Sequence, residues 1–254
     1  MRKAKVDIEI KNHFIKQDFF NREELYKFYL KYEPDLNERT FGWRVFDLKK
    51  KNIIISIKRG VYKISDKEYF NPPIDSKTKK LSNYINKNFF DPDYIIWTSS
   101  WLNDLSLHIS FKNFHIIEVP YNLKDIVFEK LKESGIVKPF LLPDESMIQK
   151  YVLDEEDSAV IKTLITRSPV KRIKKIKIPT LEKLLVDLYS DTKTFYMYQG
   201  YELKEIFRNA IQRYVINWSK LINYSKRRGQ GNEIKKYLSE NFMDLTGDIL
   251  NDHR

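Results

Sequence analysis

Two β-branched runs, Ile53 to Ile57 and Val61 to Ile64, are separated only by Lys58-Arg59-Gly60. A glycine there supplies the positive φ of a tight turn, so the stretch is constrained to a β-hairpin. The residues before it set the hairpin's context. Val6, Ile10 and Phe14 recur at four-residue spacing and predict a first helix from about Lys5 to Gln17. Asn21 is placed to cap a second helix, with Glu24 positioned to reach back and Phe20 set to staple against Leu25. Leu25, Phe28, Tyr29 and Tyr32 continue its apolar face, and Pro34 makes continuation past Glu33 unfavourable.

Asn37, flanked by Leu36 and Phe41, repeats the capping device and opens a third helix to about Lys51. Phe41, Val45 and Leu48 form its buried stripe. Gly42 costs roughly 1 kcal/mol relative to alanine in a helix interior, a cost that a close helix crossing would explain. Three helices and a hairpin make a winged helix-turn-helix. Arg39, Thr40, Trp43, Arg44, Asp47, Lys50 and Lys51 are expected on the outward face of the third helix, although an aromatic at the Trp43 spacing reads equally well as core. Between Leu36 and Lys63 the bases Arg39, Arg44, Lys49, Lys50, Lys51, Lys58, Arg59 and Lys63 face only the acids Glu38 and Asp47. This is where a winged helix meets DNA, and Arg39, Thr40, Trp43, Arg44, Lys50, Lys58 and Arg59 are the expected DNA-binding residues. Winged helices also serve as protein-interaction modules, so the fold alone does not decide.

The whole chain shares this bias: 254 residues carry a formal net charge of +11. A basic protein suits a polyanionic partner, because neutralising phosphates releases condensed counterions; a Lys- and Ile-rich composition from AT-rich coding is the plainer explanation. No apolar run approaches the roughly 18 to 20 residues that span a bilayer, and no apolar segment follows the basic opening Met1 to Asp7 as in a secretory signal. The chain contains no cysteine, which rules out disulfides and thiolate metal sites and fits a cytoplasmic protein without contact with membranes.

Asn71-Pro72-Pro73-Ile74-Asp75-Ser76 has the composition of a linker, so the expected domains are 1–70, a linker at 71–76, a larger domain over 77–245 and a tail at 246–254. From Lys77 helical and β patterns alternate. Strands are predicted near Tyr94 to Trp97, Phe114 to Val119, Ile136 to Leu141 and Val160 to Thr166, with helices to Phe89 and over Asn122 to Ser134. The expected class is α/β (α+β), a winged helix followed by a mixed domain that closes with several helices. In the last third, Leu181, Leu184, Leu185 and Leu188 line one helix, and Leu203 to Tyr214, Trp218 to Ile222 and Glu233 to Phe242 supply further helical patterns.

A second basic tract runs from Lys162 to Lys177 without an intervening acid, and Arg227-Arg228 closes a helix. Lys171, Arg172, Lys174, Lys175, Arg227 and Arg228 are candidates for secondary phosphate contacts. The tract equally suits an edge strand protected by lysines, and the arginine pair suits a helix C-terminus.

Catalytic signals are weak. Asp104, His108, His115 and Glu118 form the best metal-ligand set, but His115 and Glu118, an odd number apart on one strand, point to opposite faces. A Mg²⁺-dependent nuclease would need acids and a lysine at a strand edge; Glu118-Val119-Pro120 lacks the lysine, and Asp191-Thr192-Lys193 follows a helix. No Gly-Ser dipeptide, Gly-rich phosphate loop or nucleophile elbow is present. No catalytic residue, metal or cofactor is therefore assigned. A nuclease on the larger domain and a non-enzymatic interaction module stay as alternatives.

Three segments carry a resemblance: Ile57-Lys58-Arg59-Gly60-Val61-Tyr62-Lys63-Ile64, Trp97-Thr98-Ser99-Ser100-Trp101-Leu102, and Ile178-Pro179-Thr180-Leu181-Glu182-Lys183-Leu184-Leu185-Val186-Asp187. In these, and in the order of its parts, the chain resembles AbiEi-type antitoxins of type IV toxin–antitoxin systems, bacterial phage-defence modules. The resemblance implies a transcriptional regulator whose winged helix binds inverted repeats in its own promoter. It also implies a larger domain that counters a nucleotidyltransferase toxin without a tight complex. Arg39, Thr40, Arg44, Lys58 and Arg59 would take the DNA-reading roles. The closing helices after Gln199 have no counterpart in this match.

Overall fold

The computed structural model describes residues 3–51, 53–89, 92–110 and 112–246. The chain is mixed α/β and divides into two compact units, Met1–Glu68 and Tyr69–Arg254.

The first unit runs α1 (Lys3–Phe14), β1 (Phe20–Asn21), α2 (Arg22–Leu30), α3 (Glu38–Lys50), β2 (Ile54–Lys58) and β3 (Val61–Ile64). Its strands lie in the order β1-β3-β2, all antiparallel, with Phe20 opposite Tyr62 and Ile54 opposite Ile64. Gly60 takes φ 76° in the turn, and a bulge shifts the register between Ser56 and Lys58. The caps form as the sequence suggests: Asn21 Oδ1 accepts from Glu24 N at 2.9 Å while Glu24 Oε2 accepts from Asn21 N, and Asn37 Oδ1 accepts from Thr40 N at 2.8 Å. One core joins all three helices to the sheet through Ile10, Phe14, Phe20, Leu25, Phe41, Leu48 and Tyr62.

Two local expectations fail. Helix α1 stops at Phe14, not Gln17, because the next apolar residue, Ile15, is 60% exposed and offers no buried face to hold another turn. No close crossing occurs at Gly42, where an added Cβ would meet nothing within 4 Å.

The second unit begins with the proline segment. Pro72 is buried, Trp101 Nε1 donates to Pro73 O at 3.0 Å, Ile74 packs on the core, and Asp75 caps the following helix through Thr78 N at 2.6 Å. The expected linker at 71–76 is thus part of this unit, since the Pro73 carbonyl and the Ile74 side chain found partners that only the folded neighbourhood supplies. The chain continues as α4 (Ser76–Asn88), β4 (Ile95–Thr98), β5 (His115–Val119), α5 (Lys124–Ser134), β6 (Lys138–Leu141), a short turn α6 (Glu145–Met147) extended by a π turn (Ile148–Val152), and β7 (Ser158–Thr163). These strands form a sheet in the order β4-β5-β7-β6, antiparallel between β4 and β5 and parallel elsewhere. Every residue of β4 and β5 is buried, as in a sheet covered on both faces.

A hairpin that the sequence analysis did not separate, β8 (Val170–Ile173) and β9 (Ile176–Pro179), leads into α7 (Leu181–Ser190). Then come α8 (Tyr201–Arg213), α9 (Trp218–Arg227) and α10 (Gly231–Thr246). The expected tail beyond Thr246 lies outside the described residues. Helix α7 was expected to bury only its leucine face, but all residues from Leu181 to Leu188 are buried, Glu182, Lys183 and Asp187 among them. It is enclosed by packing on every side, with α8 and α9 as neighbours. Among the described residues no helix is long and apolar enough to cross a membrane.

Candidate nucleic-acid interface and a buried charge network

Helix geometry puts Arg39, Trp43 and Phe46 on one stripe of α3, opposite its buried Phe41, Val45 and Leu48. Arg39 and Thr40 are exposed, Trp43 is 66% exposed, and Phe46, which sequence reasoning passed over, is 56% exposed and packs edge-on to Trp43 with ring centroids 5.9 Å apart. Trp43 is therefore surface and not core. The side chains of Lys50 and Lys58 lie outside those described.

Arg44 departs from the expected outward face. Its guanidinium bonds Glu33 Oε2 at 2.9 Å and lies with Asp7, Tyr29 and Asp47 in a recess between the helices. Arg39 and Trp43 are four positions, about one helical turn, apart, but Arg44 falls about a hundred degrees round from Trp43, on the flank that meets Glu33. Lys51 is likewise engaged, by Asp7 at 2.7 Å and Asp47 at 2.8 Å.

Two cations outside the expected set, Arg22 and Lys49, join the expected Arg59. Arg22 at the start of α2, Lys49 of α3 and Arg59 of the hairpin turn line one concavity of about 430 Å³ together with Ser56, Gly60 and Tyr62. Arg22 N donates to Gly60 O at 2.8 Å, which joins the N-terminus of α2 to the turn. The Arg22 guanidinium sits 4.6 Å from the Phe41 ring centroid and 2.9 Å from Glu38, and the Lys49 ammonium is 5.1 Å from the Tyr62 ring. Partial burial, and then the charge of Arg22, lowers the Lys49 pKa, as expected where cations converge without enough acid to balance them. Arg22 was missed because it follows a cap and belongs to a different helix; only the pairing of β1 with β3 brings it to the turn.

The second unit holds a different assembly. Lys183 Nζ lies 2.8 Å from each oxygen of Glu118, bonds Asp187, and stands 3.3 Å from Tyr224 OH, which itself donates to Asp187 Oδ1 at 2.8 Å. Arg228 approaches the same carboxylate at 3.5 Å. On β7, beside Glu118 in the sheet register, Lys162 bonds Asp191 and reaches Thr194 Oγ1 at 3.3 Å. Burial pushes the Lys162 pKa down to about 8, against the pull of Asp187 and Glu118. Burial alone would lower Lys183 and raise Asp187, but their mutual attraction, helped by Glu118 for the lysine and Arg228 for the acid, reverses both shifts. The sequence signal was a glutamate inside the apolar run Phe114 to Val119 and a lysine and aspartate one turn apart on a leucine-lined helix.

The four residues weighed as metal ligands, and not assigned, do not assemble. His108 pairs with Glu202 at 3.1 Å, His115 lies 3.2 Å from Thr78 Oγ1, Glu118 serves Lys183, and Asp104 O accepts from Arg213. Among the described residues no three His, Cys, Asp or Glu side chains group as metal ligands.

The second basic tract is divided by the fold. Lys162 points into the network, Lys171 donates to Phe70 O, and Lys177 bonds Asp93 at 2.8 Å. Arg172, Lys174 and Lys175 are exposed on the β8–β9 hairpin. Arg227 donates twice to Thr166, at 2.8 and 2.7 Å, while Arg228 turns inward to Asp187.

Residues 40–244 match the family of unknown function DUF6577, and the chain belongs to that family. Comparison with curated proteins returns no match.

Proposed function

We propose that the chain is a DNA-binding transcriptional regulator whose first unit acts as a winged helix, with α3 entering the major groove and the β2–β3 hairpin serving as the wing. The observation that carries the reading is the convergence of Arg22, Lys49 and Arg59 on one concavity beside the exposed face of α3. Three cations from three elements, beside a backbone N-terminus, suit a phosphate of the duplex backbone. Arg39 and Thr40 then stand where the first turn of a recognition helix reads base edges, and the Trp43–Phe46 pair offers apolar contact to thymine methyl groups.

In this reading the target is double-stranded DNA, an inverted repeat in the protein's own promoter, and the protein acts in the cytoplasm. The resemblance to AbiEi-type antitoxins extends it to a role against a nucleotidyltransferase toxin, exerted without a tight complex. No catalysis is assigned. The alternative nuclease reading loses support because both oxygens of Glu118 are engaged by Lys183. A protein-interaction reading draws on the exposed Trp43–Phe46 pair, since aromatic residues also anchor protein interfaces.

A mobility-shift titration on the upstream DNA tests the proposal. Affinity should fall steeply with salt; Arg59→Ala should weaken it and reduce the salt slope by about one, and Arg39→Ala should weaken it and relax sequence preference. Binding indifferent to salt, or no DNA binding with one protein co-purifying, would favour the interaction module.

A further inference from the structure

The second unit has a cleft of about 700 Å³ between the β7–β8 connection and α9, lined by Arg167, Ser168, Pro169, Val170, Lys220, Asn223, Tyr224 and Arg227. Three of these residues are cations and none is an acid. On α9, Lys220, Asn223, Tyr224 and Arg227 fall at the i, i+3, i+4, i+7 spacing of a single face. The side chains of Arg167 and Lys220 are exposed and have no hydrogen-bond or ion-pair partner among the described residues.

The wall of this cleft is held under strain. Arg167 adopts φ 58°, a left-handed conformation that is unfavourable for a side chain with a Cβ. The turn is fixed from across the cleft, because Arg227 donates both to Thr166 O and to Thr166 Oγ1. Arg167, in a turn fixed by Arg227, and Arg227 itself thus both line a cleft that has no acid among its lining residues. A cleft lined by cations without an acid suits an anion.

The floor is equally fixed. Tyr224 is 1% exposed, and its hydroxyl is committed to Asp187 and Lys183 in the buried network, whose charges balance internally. The network therefore supplies no negative charge to the cleft above it. The neighbouring hairpin adds the exposed cations Arg172, Lys174 and Lys175.

We propose that this cleft is a phosphate-binding site, in which Arg167, Lys220 and Arg227 hold adjacent phosphates of one ligand, either a free polyphosphate or a nucleic-acid strand. Its ligand contacts lie wholly in the second unit, so the site stands or falls separately from DNA binding by α3 and the hairpin.

The test uses calorimetric titration of the full chain at low salt with inorganic pyrophosphate and, separately, with a single strand of about 12 nucleotides, a length within the usual range for such grooves. The variants are Arg167→Gly, Lys220→Ala and their combination, each in an Arg59→Ala background that weakens the first unit's own phosphate contact, with Lys130→Ala on the exposed face of α5 as the control. Glycine is at ease at a positive φ, so Arg167→Gly removes the charge while keeping or raising the melting temperature, and its effect cannot be a loss of folding. Each single variant should weaken binding by roughly tenfold, the value of a charge-assisted contact, and Lys130→Ala should leave pyrophosphate binding unchanged. Pyrophosphate binding identifies a free polyphosphate as sufficient, whereas binding of the strand alone, lost in the combined variant, assigns the site to a polymer. Failure of both probes to bind, or binding undiminished in the combined variant, overturns the proposal.

Discussion

Lys183 Nζ sits 2.8 Å from both carboxylate oxygens of Glu118, a residue sixty-five positions earlier in the chain, and the two side chains are 1% and 6% exposed. A helix and a strand are thereby joined through charges that water does not reach. Bringing such groups out of water costs several kcal/mol per ion, on the order of what their attraction returns, so the pair specifies an arrangement more than it adds stability. Removing one member is another matter. Lys183→Ala leaves Glu118 and Asp187 as neighbouring buried carboxylates and should cost about 3–5 kcal/mol, measured as a shift in the denaturant midpoint of the second unit. A loss under 1 kcal/mol would mean that water enters freely.

The same network gives a pH signature. Lys162 has a folded pKa of about 8, below its ordinary unfolded value, so between these the unfolded chain holds a proton that the folded chain has shed. Its unfavourable contribution is present in full below about pH 8 and is relieved as pH rises towards the unfolded value, near 10.4. Stability from Asp187 runs the other way: its pKa is lowered, so its contribution is present above the ordinary carboxylate range and disappears in acid. Thermal melts of Lys162→Met should lack the alkaline rise, and those of Asp187→Asn should be less sensitive to acid. Unchanged profiles in both variants would remove the network from the account.

Arg44 and Arg59 separate structure from binding. Arg44→Ala breaks a partly buried pair with Glu33 and should lower stability by about 1 kcal/mol or less while the salt slope of DNA binding stays the same. Arg59→Ala should do the reverse, losing affinity and slope at constant melting temperature. Parallel melting and mobility-shift series decide between them.

Trp43 and Phe41, two residues apart on α3, make the same distinction for aromatics. Trp43→Ala removes a side chain that is 66% exposed and should change stability by no more than about 0.5 kcal/mol while abolishing or weakening target recognition. Phe41→Ala empties a fully buried position and should cost about 3–5 kcal/mol. Equal destabilisation by both would place Trp43 in the core.

Gly42 faces open space within α3, so Gly42→Ala should raise stability by about 1 kcal/mol with no steric conflict. A destabilised variant would reveal a close neighbour at that position.

The sequence alone determined what neighbouring residues decide among themselves. Asn21 and Asn37 cap helices because their acceptors reach N–H groups only three residues away, Gly60 turns a hairpin because it lacks a Cβ, and the spacing of Phe41, Val45 and Leu48 marks the inner face of α3. Where polar side chains go was settled by tertiary structure. Arg44 and Arg39 look alike in the sequence, yet one meets Glu33 of the preceding turn and the other meets solvent. The polar flank of α7 would face water in an isolated helix, but the sheet and the closing helices cover it and leave Glu118, brought alongside by strand pairing, as the partner of Lys183. Charges act across space, and the separations that matter here are fixed by packing between segments dozens of residues apart, which local propensity does not encode.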